Sequence, residues 1–135
     1  MQRNSSAVKL KKILETTNER DLGFVGHMYI ENTIDTILEK KFNIPSKSID
    51  STLFTLNLKM DILIESGLIK VNLKKNVELM SRIRNRYAHK LEPNEQRIGN
   101  YIRELQYLGP ASKPNDRYTK YRICVIRTFS ALAKL

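Results

Sequence analysis

Within six residues, the segment Arg84-Asn85-Arg86-Tyr87-Ala88-His89 gathers side chains suited to metal-free chemistry on a phosphodiester. An imidazole can move a proton to or from a ribose 2′-hydroxyl or the leaving oxygen. A permanently charged guanidinium can stabilise charge on the phosphate. Arg84 and His89 are therefore the candidate catalytic pair, and Asn85 is a candidate to position a phosphate or orient the histidine. The reaction calls for no metal or cofactor, and a single Cys with two His leaves no zinc framework. Arg82, Arg86, Lys90, Lys74 and Lys75 surround the segment as candidate phosphate contacts, whose binding would weaken with salt.

A second reading of Arg84 is structural. At about 100° per residue, Leu73, Val77, Met80 and Tyr87 share one helix face, with Ile83 beside them and Arg84 in their midst. A guanidinium on an apolar face is costly unless it is paired. Arg84 then either lines a cleft or meets an acid. Glu31 and Asp35, one turn apart on another helix, are the obvious acids, and Glu31–Arg84 is the expected structural ion pair. In that reading His89, about 140° further round, is simply a helix-end residue.

The elements that must carry these residues are helical. The first expected helix is Ala7 to Thr17, and a long second one runs from Glu19 to about Phe42, with Ile30, Ile34, Ile37 and Leu38 at helical spacing. Residues 43–50 read as a loop. A third helix spans Thr52 to Ser66, capped by Ser51 or Thr52 and stopped by Gly67. Asn72 is the expected cap of a fourth, which runs to about His89. Asn94 to Leu108 makes a fifth. After a turn-rich stretch from Gly109 to Asn115, Asp116 caps the last helix, where Tyr118, Tyr121, Val125, Phe129 and Leu132 form an apolar stripe. Nothing alternates with period two long enough to argue a sheet. The expectation is one all-α domain over residues 1–135, a single bundle of about five to six helices.

Charge points to the partner. There are 24 Lys plus Arg against 14 Asp plus Glu, a net charge of +10. The excess is clustered: residues 70–90 hold seven basic side chains and one acid, Glu78. A clustered positive field favours a polyanion, RNA first and DNA second. No run is apolar enough for a membrane helix, and the N-terminal residues lack a signal-like core, so a cytoplasmic protein that does not engage membranes is expected. Cys124, in an apolar run, reads as a small buried hydrophobe.

The Arg84-Asn85-x-x-x-His89 pattern late in a bundle helix resembles the HEPN superfamily. That resemblance implies a metal-independent endoribonuclease of toxin–antitoxin, defence or RNA-processing type, with Arg84 and His89 catalytic, Asn85 accessory and two copies paired as a homodimer. A longer stretch, Glu19 to Leu91, is similar to the mannitol operon repressor family. Glu19-Arg20-Asp21, Leu58-Lys59-Met60-Asp61, Gly67-Leu68-Ile69 and Ile83-Arg84-Asn85-Arg86-Tyr87-Ala88-His89 carry the similarity. It implies an all-helical, non-catalytic transcriptional regulator acting through protein or DNA partners. An antitoxin or regulator protein is a further expected partner. His27 reads as a packed or surface residue rather than a second base. Tyr101, Tyr107, Tyr118 and Tyr121 read as packing residues rather than base-stacking platforms.

Overall fold

Apolar side chains recurring every three or four positions give each long segment one face that must leave water. A computed structural model describes residues 2–15, 17–111 and 116–135, with side chains from Val8 onward. Among the described residues there are seven helices: α1 (Gln2–Glu15), α2 (Glu19–Phe42), α3 (Ser46–Ile49), α4 (Leu56–Glu65), α5 (Val71–His89), α6 (Glu95–Glu104) and α7 (Arg117–Ala133). No strand occurs among them. The all-α class holds, and the expected five to six helices become seven. The additional one is α3, a single turn in the stretch expected to be loop. Pro45, with φ of −61°, sets its start, and its carbonyl accepts from the Ser48 and Ile49 N–H groups. No helix among the described residues is long and apolar enough to cross a membrane.

Helices α2 and α7 pack closely because Gly26 has no side chain. A Cβ there would lie 2.6 Å from Val125 Cγ1. Tyr121, Val125, Phe129 and Leu132 of the α7 stripe are buried against Leu22, Ile30, Ile34 and other core residues. Each such burial stabilises by roughly 1.5–3 kcal/mol. Tyr118 is half-buried, and its hydroxyl reaches the carbonyl oxygens of Leu14, at 2.8 Å, and Thr17. Cys124 is fully buried, which pushes its thiol pKa up to about 11 and leaves it inert.

Helix boundaries moved where a cap or a distant contact outweighed local pattern. α1 starts earlier than expected and ends at Glu15. Thr17 lies outside it, and Thr16 falls outside the described residues. α4 starts at Leu56, not Thr52, because Thr55 Oγ1 accepts from Leu58 N–H, whereas Ser51 Oγ accepts from Leu53 N–H in a preceding turn. α5 starts at Val71 with Lys70 at the cap position, so Asn72 sits inside the first turn instead of capping it. α6 ends at Glu104 because buried Asn76 takes hold of Gln106: its Oδ1 accepts from Gln106 N–H and its Nδ2 donates to Gln106 O, both at 2.8 Å. Gly67 (φ +80°) ends α4 and Asp116 caps α7, both as the sequence suggests. The expected turn up to Asn115 lies partly outside the described residues, which omit 112–115.

Candidate nucleic-acid interface

The end of α5 is held by the first turn of α2. Tyr87, 6% exposed, donates its hydroxyl to Glu19 Oε1 at 2.5 Å. The same carboxylate is gripped by Arg117, from Nη2 at 2.8 Å and from Nε at 3.1 Å. Arg20 Nη2 donates to the Tyr87 carbonyl at 3.0 Å, satisfying one of the backbone acceptors that a helix end leaves open. Burial, reinforced by Glu19, raises the Tyr87 pKa and keeps it a donor. Gly23, one turn further along α2, lets the helices approach: a Cβ there would meet Tyr121 Oη at 3.3 Å and Arg84 Cα at 4.0 Å. The Glu19-Arg20-Asp21 entry thus positions the Arg84–His89 segment.

On the other side of that helix end is a hollow of about 320 Å³ between α5 and α6. Arg82, Asn85, Arg86, His89, Lys90 and Tyr101 line it. The first four recur at i, i+3, i+4 and i+7, one face of α5, and Lys90 follows in extended backbone at the helix end. None of the lining residues is acidic. The Arg82 guanidinium lies 6.0 Å from the Tyr101 ring centroid, a cation–π distance. His89 and Asn85 are exposed there. The hollow therefore unites two of the three catalytic candidates with three phosphate-contact candidates and one aromatic ring. Such a surface can receive a phosphate on its cations and a base on its ring.

Arg84 is not part of it. It is half-buried, its Cα lies against Gly23 of α2, and it is absent from the lining of the hollow. Among the described residues its side chain makes no hydrogen bond or ion pair within 4.0 Å, so the expected Glu31–Arg84 contact is not formed. Glu31 instead lies one helical turn from His27, and its Oε1 is 3.2 Å from His27 Nδ1. A partner on the same helix needs no reach across the interface. Arg84 still acts on both at longer range. His27, 4% exposed, has its pKa lowered to about 4, by burial first and by Arg84 second. Burial raises the Glu31 pKa, while Arg84 opposes the rise. The imidazole completes its bonding with Nε2 2.8 Å from Ser81 Oγ, so α2 and α5 are joined by a polar Glu31–His27–Ser81 chain. Asp35, the other acid considered for Arg84, is bound by Lys59 at 2.8 Å.

Lys74 and Lys75 also lie apart from the hollow. Lys74 Nζ is 2.6 Å from Asp61 Oδ1 and 3.7 Å from Glu78 Oε1, and Lys75 Nζ is 4.0 Å from Glu104 Oε1. Sequence reading missed Tyr101 as a lining residue and Ser81 as the partner of His27. Both come from pairings that no local spacing encodes. The 82–85–86–89 periodicity was the available signal for the hollow itself. No protein-family model matches this chain, and neither curated proteins nor solved structures offer a match.

Proposed function

We propose that this chain is a HEPN-like domain that binds RNA in the hollow between α5 and α6 and cleaves it there without a metal. The observation that supports this is the acid-free group of Arg82, Asn85, Arg86, His89, Lys90 and Tyr101 around one hollow on a chain of net charge +10. In the reaction the ribose 2′-oxygen bonds to phosphorus and the bond from phosphorus to the 5′-oxygen breaks. The products are a 2′,3′-cyclic phosphate and a 5′-hydroxyl end. His89 takes the 2′ proton or supplies the one that the 5′-oxygen gains, and water carries the other. Arg82 and Arg86 hold the phosphate, and Asn85 orients it. Arg84 lies outside the hollow, and its field bears on His27 and Glu31 instead. Pairing of two copies, as the HEPN resemblance implies, would set two hollows in one assembly. DNA is the alternative polyanion.

A second reading is a non-catalytic regulator of the mannitol-repressor type. The separation of Arg84 from the hollow that holds His89 favours it. One experiment divides the two: labelled single-stranded RNA incubated in EDTA with wild type, His89→Ala and Arg84→Ala. Cleavage by wild type that His89→Ala abolishes, with cyclic phosphate ends, supports the nuclease. Absence of cleavage by folded wild type across a range of RNAs selects the regulator.

A further inference from the structure

A second surface runs along α2 and the end of α7. It is a groove of about 740 Å³ whose α2 wall is built from residues between Met28 and Lys41. At 1.5 Å per residue that wall is roughly 20 Å long, enough for three to four turns of a docked helix. The floor is apolar. Tyr29 and Phe129 meet edge to face, with centroids 5.7 Å apart, and Ile37 and Leu132 lie beside them. Met28, 53% exposed, provides a flexible thioether at one end. Thr33 and Thr36 also line it, but their hydroxyls donate to the carbonyls of Tyr29 and Asn32 on their own helix, at 2.8 and 2.9 Å. They ask nothing of a visitor. Lys40 and Lys41, both exposed, stand at the other end, and no Asp or Glu side chain lines the groove.

We infer that this groove docks an amphipathic helix of a partner protein, apolar on one face and acidic at its flanks. Shape and floor suit a helix laid in a groove. Charge selects an acidic one, since Lys40 and Lys41 are exposed at one end, no Asp or Glu side chain lines the groove and the chain as a whole is at +10. A second copy of this chain is itself basic overall, at +10, and complements Lys40 and Lys41 less well than an acidic helix does. The groove shares no residue with the hollow between α5 and α6, so this docking is independent of the proposed RNA site.

The test uses the full chain and a labelled 18-residue peptide with leucines on one helical face and glutamates elsewhere. Two controls have the same leucines scrambled off one face, or lysines in place of glutamates. Fluorescence anisotropy should show the acidic amphipathic peptide binding at least about tenfold more tightly than either control. The Lys40→Glu/Lys41→Glu variant should weaken it about tenfold, as should Met28→Glu, while Arg82→Ala/Arg86→Ala should leave it unchanged. Equal binding of the scrambled peptide overturns the inference. So does loss of binding in the Arg82→Ala/Arg86→Ala variant, which would put the peptide on the cationic hollow. Sedimentation of the chain alone supplies the last outcome: a dimer that Met28→Glu dissociates would make a second copy the occupant.

Discussion

The Tyr87 hydroxyl donates to Glu19 across 68 residues of sequence, and this one contact ties the helix end bearing Asn85 and His89 to the start of α2. Glu19 is itself locked by Arg117, so a carboxylate largely removed from solvent serves two elements at once. A hydrogen bond to a charged acceptor contributes about 1.5–3 kcal/mol. Tyr87→Phe removes the bond and keeps the ring. Urea unfolding should show a loss of about 2 kcal/mol with the m-value unchanged. A loss under about 0.5 kcal/mol would mean that Arg117 alone holds Glu19.

Close approach of α2 and α7 at Gly26 predicts a steric effect. In Gly26→Ala the new methyl would lie 2.6 Å from Cγ1 of Val125, a buried β-branched side chain with little rotamer freedom. Overpacking of this kind costs about 1–3 kcal/mol, although Ala is otherwise the better helix former. Val125→Ala should rescue part of the loss, and the double-mutant cycle should give a coupling of at least about 0.5 kcal/mol. Additive effects would show that the helices part easily.

RNA binding should distinguish hollow residues from the other basic residues. Arg82→Ala and Arg86→Ala should each weaken binding and lower the slope of log affinity against log salt by about one. Lys74→Ala should change neither, because Asp61 already holds that ammonium. If Lys74→Ala matches Arg82→Ala in both measures, binding follows overall charge and not the hollow.

The buried imidazole predicts a pH dependence of stability. His27 has a folded pKa of about 4 against 6.5 for the free side chain. Between those values the unfolded chain carries the proton and the folded chain does not. Its contribution is therefore complete above about pH 6.5 and is lost as pH falls toward 4, by on the order of 3 kcal/mol. The raised Glu31 pKa acts in the opposite sense, since there the folded chain holds the proton longer. Comparing wild type with His27→Gln isolates the histidine: the difference in unfolding free energy should change across pH 4 to 6.5 and be flat above it. A difference that stays constant through that window would place a charged His27 in the folded protein.

Much of the architecture was readable because its causes are local. Helical periodicity marked the buried faces of α2, α5 and α7, and Gly67 and Asp116 acted where they stand, through a positive φ and a side-chain cap. Tyr87 was assigned to the core from its helical face alone, and it is there. Errors arose where a distant residue overrode the local pattern. Asn76 ends the ordered run of α6 by reaching 30 residues forward to Gln106, and nothing around Leu105 announces it.

The Arg84 to His89 segment divides along the same line. By itself the sequence determined a helix, a concentration of positive charge, and the angle of about 140° between Arg84 and His89, because these follow from composition and from 3.6 residues per turn. It also held the 82–85–86–89 face. Only the tertiary structure decided what each face meets. Gly23 brings α2 against Arg84, Glu31 turns to His27, and Tyr101 arrives from α6 to complete the hollow around His89. Those outcomes depend on which helices pack together and how closely, and the absence of one Cβ can settle a distance that no spacing along the chain records.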